Sequence, residues 1–303
     1  VKAHIVNTAL SNASGPLDEA RLRAYRVPET RDRYDRRDTI LYALGVGAGL
    51  SDVDETHLVF ERDLLALPTM ALVLGTPGFW LMDRATGLDW PRILHGEQSF
   101  RLFRPLPPEG DIIGRTTIGE LSDKGRGRPA MLRCTRELSD GVTGAKIALL
   151  EEIWVLRGAG GFGGDDIALA PALPPMPDRA ADAALALPTH RNQAMLYRLT
   201  GDRNPLHVDS GTAAAGGFER PILHGLATMG VAARALVHLA CDGDPGRLSA
   251  MRLRFTAPAF PGDVILTEMW SEGTALRFRA SVPARGVTVI DGGSGTRDGF
   301  DGE

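Results

Sequence analysis

Cysteine, lysine and long apolar runs are all scarce in this sequence, and each scarcity excludes something. Two cysteines, Cys134 and Cys241, cannot build a disulfide framework or a four-ligand structural zinc site. Each has apolar neighbours, the setting of a buried, unreactive thiol. Lysine occurs only at Lys2, Lys124 and Lys146, among 34 basic residues. Anion contacts therefore fall to arginine, whose planar fork matches phosphate and carboxylate. No stretch approaches the roughly 18 to 20 uninterrupted apolar residues of a membrane span. The opening VKAHIVNTAL lacks the basic end and apolar run of a secretory signal, and the sequence ends without a peroxisomal S-K-L. A cytoplasmic protein with no membrane partner is expected. With 34 basic against 38 acidic residues and a pI near 6.0, no global field attracts nucleic acid, so no such partner is expected.

What is present is the balance of a globular chain: 303 residues, 43% apolar and 24% charged, enough for about two domains of roughly 150 residues. The two halves repeat each other faintly. LYALGVG, Leu41 to Gly47, returns as LYRLTGD, Leu196 to Asp202, at an offset of 155; FRPLPPEGD at Phe103 returns as FTAPAFPGD at Phe255, at an offset of 152. A third pair, ILHGEQ at Ile93 and ILHGLA at Ile222, keeps the order but has an offset of 129. Glycines and prolines from Arg157 to Pro188 read as a linker, and the polar, glycine-rich stretch from Asp291 as a flexible tail. Two modules follow, residues 1–156 and 189–290, joined by 157–188 and trailed by 291–303.

In the second module Met251, Leu253 and Phe255 alternate with Arg252, Arg254 and Thr256, and Leu276, Phe278, Ala280 and Val282 alternate with Arg277, Arg279 and Ser281. These are half-exposed strands of an antiparallel sheet. Before them, Ile222, Leu226, Met229, Ala233, Leu236, Val237 and Ala240 recur at helical spacing, predicting a helix over 221–240 with Pro221 in its first turn. A long apolar helix wrapped by a curved antiparallel sheet is the hot-dog arrangement, and two copies give an α+β double hot-dog. The first module departs from it. Eight positions separate His95 from Phe103, against thirty-one between His224 and Phe255, so its central helix has been eroded. In compensation, 53 positions separate Tyr42 from His95, against 27 between Tyr197 and His224. The surplus includes LPTMALVLGTPGFWLM, Leu67 to Met82, which is expected to line a tunnel for a long apolar ligand.

The most specific segment is YRLTGDRNPLHVD, Tyr197 to Asp209, followed by GFERPILHGL, Gly217 to Leu226. Asn204 and Pro205 force a turn between Asp202 and His207, because a residue before proline avoids the helical region. A carboxylate and an imidazole brought together this way can hold a water, one group accepting a proton while the other supplies one. From spacing alone, a turn capped by Asp202 with His207 on the surface remains the alternative.

This string resembles the signature of the hydratase 2 family of (3R)-specific enoyl-CoA hydratases, within the wider MaoC-like dehydratases, as in the hydratase domain of peroxisomal multifunctional enzyme type 2. That signature is a small residue followed by G-D-x-N-P-hydrophobic-H, here Thr200 to His207. The resemblance extends to Asp38 to Gly47, Leu94 to Gln98, Gly217 to Leu226 and Arg252 to Trp270. Ser210 stands where the family commonly has proline. The resemblance implies a lyase that adds water reversibly to a trans-2-enoyl-CoA in fatty-acid or related acyl-CoA metabolism. His207 would act as base toward oxygen, Asp202 as acid toward the α-carbon, Asn204 would orient the water, and the backbone N–H of Gly225 would receive the thioester oxygen. Gly47 aligns with Asp202, so the first module has no matching carboxylate. One active site per chain and a non-catalytic, acyl-holding first module are expected.

Arg203, Arg220 and Arg252 are the candidates for the coenzyme A phosphates. The thioester is the substrate and no cofactor is implied; a homodimer is expected. His4, His57, His190 and His238 have no ligand partners at metal spacing, His224 and His95 read as structural, and no metal is expected. The glycine run GAGGFGG lacks a strand-to-helix frame for dinucleotide binding. The arginines from Arg21 to Arg37, interrupted by acids, read as a solvated helix face. A hot-dog acyl-CoA thioesterase and a non-catalytic acyl-thioester-binding subunit are the alternative readings, the first disfavoured by the G-D-x-N-P-x-H turn and the second by the intact carboxylate–imidazole pair.

Overall fold

The structure, a computed structural model, describes residues 15–300; the readings placed on the opening ten residues, on His4 and on the last three residues lie outside them. Ten strands form one antiparallel sheet: β1 (Thr30–Tyr34), β2 (Ile93–Leu102), β3 (Gly110–Asp123), β4 (Ala130–Asp140), β5 (Lys146–Leu156), β6 (Ala183–Pro188), β7 (Leu248–Phe255), β8 (Val264–Glu272), β9 (Ala275–Val282) and β10 (Val287–Arg297). Their order across the sheet is β1-β3-β4-β5-β2-β7-β10-β9-β8-β6. From either edge inward, each half runs first, third, fourth, fifth and second strand of its own five. The faint sequence repeat is thus a repeat of topology, and the fold is an α+β double hot-dog. The halves meet where β2 pairs with β7, Phe100 opposite Met251 and Gln98 opposite Leu253.

Two boundaries differ from the sequence reading. The segment read as linker ends in β6, which pairs with β8 as β1 pairs with β3; its alanines and closing proline hide a short strand whose Leu187 is fully buried. The segment read as tail is instead the second half of β10, which continues to Arg297. Its glycines are there for close approach. A Cβ at Gly293 would lie 2.4 Å from the Phe278 carbonyl oxygen, and the ladder shifts register at this point. The arginines from Arg21 to Arg37 likewise fall on a short helix, on β1 and on the helix Arg36–Gly45 rather than on one helix face.

The central helix runs from Gly225 to Ala240. It starts four residues later than the periodicity predicts, because Leu223 is held extended by its N–H bond to the Ala259 carbonyl. The helix is buried nearly all round, as expected of one that is apolar on every face. Alanines and Gly230 allow that. At Gly230 a Cβ would meet Val46 Cγ1 at 2.4 Å, so the first module packs directly on the helix backbone. Among its described residues the first module has no such helix. Leu67, Met70 and Leu72 fill part of the space instead and are buried, and the chain then crosses β3 where Gly75 lies on Gly114.

One buried charge cluster ties the modules together. Arg234 on the central helix donates from Nε to Glu55 Oε1 at 2.7 Å and from Nη1 to the Val46 carbonyl at 2.8 Å. His238 Nε2 lies 3.2 Å from the same carboxylate, and the Gly49 N–H donates to it at 3.0 Å. His238 therefore does have a carboxylate partner, 183 residues away in sequence. Burial raises the Glu55 pKa, but the bonds to His238 and Arg234 outweigh it and bring it to about 2. Removing one member of such a cluster strands a buried charge. We expect Glu55→Ala to cost about 3 to 5 kcal/mol in urea unfolding. The cluster's contribution should be complete above the ordinary carboxyl value of 4.5 and decline as pH falls toward 2. A cost below about 1 kcal/mol would contradict this account of the module junction.

Candidate active site

The Tyr197 to Asp209 segment crosses the mouth of the central helix as a chain of short turns. Gly201 has φ +136, a backbone region open mainly to glycine, and turns the chain so that Asp202 follows. The Asn204 N–H donates to Asp202 Oδ1 at 3.2 Å, and the Leu206 N–H to Asn204 Oδ1 at 3.0 Å. Asn204 thus caps the 3₁₀ turn Pro205–His207. His207 is consequently buried, not on the surface, and its Nδ1 sits 3.0 Å from the Ile222 carbonyl. That carbonyl can only accept, so Nδ1 carries the proton and Nε2 is left as an acceptor. Donor atoms of Asp202, His207 and His224 all lie within 4.8 Å of one another, the one such group of possible metal ligands among the described residues.

His224, read from sequence as structural, holds the loop in place. Its ring is fully buried, stacks on His207 at 3.7 Å, and its Nε2 bonds the Asp202 carbonyl at 3.2 Å. Tyr197 packs on its other side at 4.8 Å. Burial lowers the pKa of both imidazoles; at His207 the negative charge of Asp202 works against that shift, and at His224 the neighbouring His207 adds to it. Both rings are therefore neutral near pH 7.

A cavity of about 230 Å³ opens onto this pair. Asp202, Asn204 and His207 line it together with Gly225, the first residue of the central helix. The first N–H groups of a helix have no internal acceptor and carry the positive end of its dipole. Bulk is excluded at Gly225, where a Cβ would meet the Phe255 ring at 3.3 Å. The remaining walls are largely apolar: Phe79, Ile93, Trp154, Phe218, Leu226, Phe255 and Val289 among them.

The three arginines do not line the cavity. Arg203 is exposed on the turn. Arg220 stacks on Phe260 at 4.4 Å, and it follows the cavity residue Phe218 by two positions. Arg252 is ruled out as a phosphate ligand, because it is committed to Glu97 Oε2 at 3.1 Å and to the Pro171 carbonyl at 2.6 Å. Its alternation with Met251 and Leu253 already placed it outward. The sequence reading also missed His95. Its ring stacks on Trp154 at 4.3 Å and lines the cavity, a position on β2 that its sequence neighbours do not reveal. In the glycine run the Gly161 and Gly163 N–H groups are taken, holding the Asp123 carboxylate at 2.6 and 2.9 Å.

A carboxylate and a neutral imidazole lining an apolar cavity beside the start of a helix are an arrangement able to exchange protons with a bound molecule. Comparison with known proteins gives the family. Residues 33–158 match the MFE-2 hydratase 2 N-terminal domain, and residues 173–292 the MaoC like domain. The chain belongs to the MaoC-like dehydratases, in their hydratase 2 branch. It is 37% identical to the peroxisomal enoyl-CoA hydratase 2 of Arabidopsis thaliana, over 89% of this chain and 93% of that protein. It is 40% identical to 3-hydroxyacyl-thioester dehydratase Y of Mycobacterium tuberculosis, over 85% and 91%. The crystal structure of a MaoC-like dehydratase from Phytophthora capsici superposes with a TM-score of 0.79 at 34% identity, covering 92% of this chain and 98% of that one. Among the described residues no helix is long and apolar enough to cross a membrane.

The neutral state of both imidazoles is directly measurable. In NMR titrations we expect the His207 ring to protonate below the ordinary value of 6.5 and the His224 ring well below it. The unfolded chain then binds more protons than the folded one, so stability is complete above about pH 6.5 and declines as pH falls below it. A His207 midpoint above 7 would leave the ring mostly protonated at neutral pH and contradict the assignment of Nε2 as an acceptor.

Proposed function

We propose that the chain adds water reversibly to trans-2-enoyl-CoA, giving (3R)-3-hydroxyacyl-CoA. The observation that carries this reading is the fixed tautomer of His207, whose Nδ1 is tied to the Ile222 carbonyl, leaving Nε2 as the acceptor of a residue that lines the same cavity as Asp202 and Gly225. In hydration His207 Nε2 takes a proton from water as the water oxygen bonds to C3. The double-bond electrons move into the thioester, whose oxygen gains charge opposite the Gly225 N–H, where preorganised donors lower the barrier most. The proton taken by His207 passes to the Asp202 carboxylate across the short gap between them, and Asp202 delivers it to the α-carbon as the enolate collapses, leaving both groups as they began. Elimination runs the same steps in reverse.

His224 acts on this chemistry by positioning the Asp202 backbone. The Asn204 Oδ1 holds the turn, and its amide donors remain for the water. Arg203 follows Asp202, and Arg220 lies between the cavity residues Phe218 and Ile222; these two are the candidates for coenzyme A phosphates. The enoyl thioester is chosen over other acyl compounds because membership of a dehydratase family and a paired carboxylate and imidazole coincide here. With crotonyl-CoA we expect loss of enoyl absorbance without release of free thiol, and a (3R) product on chiral analysis. Asp202→Asn and His207→Ala should each lower kcat by roughly 10² to 10⁴ while the protein stays folded. Thiol release instead would point to a thioesterase, and near-normal turnover by either variant would remove the pair from the mechanism.

A further inference from the structure

The first module holds a second, smaller chamber of about 70 Å³ that shares Phe79, His95, Trp154, Asp202 and Leu226 with the main cavity. The sequence reading expected a long apolar tunnel here. The chamber is instead polar at its floor. On β4 the inward positions read Leu132, Cys134, Arg136, Leu138, so a guanidinium takes a core position. Arg136 is 4% exposed and stands opposite Thr116 on β3. Glu152 on β5 and Trp154 complete the floor.

The hydrogen bonds of this group do not close. Arg136 Nη2 donates to the Leu72 carbonyl at 2.6 Å but lies 3.9 Å from Glu152 Oε1, beyond hydrogen-bond reach. Glu152 is already bonded by the Trp154 indole N–H at 3.1 Å. Arg136 Nε, Thr116 Oγ1 and His95 Nε2 are buried and have no partner. Three unsatisfied polar atoms around one small chamber are costly unless something meets them.

We infer that this chamber is a subsite for a neutral oxygen, hydroxyl or ketone, carried on the acyl chain of the substrate. The inference rests on the proposed hydratase reading, which puts C3 of the thioester at Asp202 and sends the rest of the chain onward. A hydroxyl or ketone oxygen accepts from Arg136 and Thr116. An alkyl end leaves both unsatisfied. A carboxylate meets one cation but two anions, Glu152 and Asp202, and is disfavoured.

Calorimetry tests this without turnover. Saturated acyl-CoAs of four to ten carbons, each with a methyl, hydroxyl, oxo or carboxylate end, are titrated into the intact protein. At the length that reaches Arg136, the hydroxyl or oxo end should bind about tenfold tighter than methyl, the order of one charge-assisted hydrogen bond. The carboxylate end should bind no better than methyl. Arg136→Met and the near-isosteric Thr116→Val should each shrink the preference at least fivefold, the second serving if the first fails to fold. Equal binding of methyl and oxygenated ends at every length, or a preference that survives Thr116→Val and Arg136→Met alike, overturns the inference and leaves ordered water as the chamber's occupant. Oxygenated chains that bind with the preference, while their enoyl counterparts are not hydrated, would uphold the chamber and sink the hydratase reading.

Discussion

The structure turns on a shortage: one continuous sheet curves around two concavities, and the chain supplies one long helix to fill them. In the second half Gly225–Ala240 is packed into the sheet so tightly that Gly230 has no room for a Cβ against Val46. In the first half the equivalent helix is gone, and the Leu67–Leu74 segment replaces only part of its volume. Close packing makes an unfilled apolar void costly, so the space left over is the natural place for a ligand. The Asp202–His207 pair stands at the boundary between the filled half and the unfilled one. Asp202 lines both the main cavity and the smaller chamber.

The same asymmetry explains why a duplicated fold supports one site. Tyr42 and Tyr197, equivalent by the repeat, pack on each other at 6.1 Å, and Gln193 bonds the Leu44 and Gly45 carbonyls at 2.9 and 2.6 Å. The first module's copy of the motif is therefore a support for the second's. Where Asp202 begins the reactive turn, Gly47 has φ +85 and faces Arg234 Nη1, inside the junction between modules. A carboxylate there would have neither cavity nor substrate.

Much of this was legible in the sequence because it depends on short-range pattern. The period-two strands and the apolar helix gave the fold class, the spacing from the histidine blocks to Phe103 and Phe255 showed that one helix was lost, and the Asp202 to His207 turn pointed to the candidate site. Long-range partners were not legible. Nothing near Glu55 announces Arg234, 179 residues away, and His224 looks idle until its ring is seen on His207. The strand β10 was hidden by glycines that serve a bulge. Arg252 was misassigned because a basic residue on an alternating strand says nothing about Glu97, which reaches it diagonally from the neighbouring strand β2. Arg136 was visible as a charge at an inward position of an alternating strand, a signal that went unread.

The central claim is that Asp202 and His207 act together on one face of the substrate. One ring nitrogen of His207 and one carboxylate oxygen of Asp202 lie within 4.8 Å of each other, a gap that a single water bridges, whereas a flat alkene sandwiched between the two groups would need about 7 Å, two carbon contact distances. Both the hydroxyl and the α-proton must then arrive from the same side. The direct measurement is hydration of crotonyl-CoA in deuterium oxide, with the relative configuration at C2 and C3 read by NMR of the product. Syn addition is the predicted result. Anti addition would require a second proton donor on the opposite wall and would contradict the account.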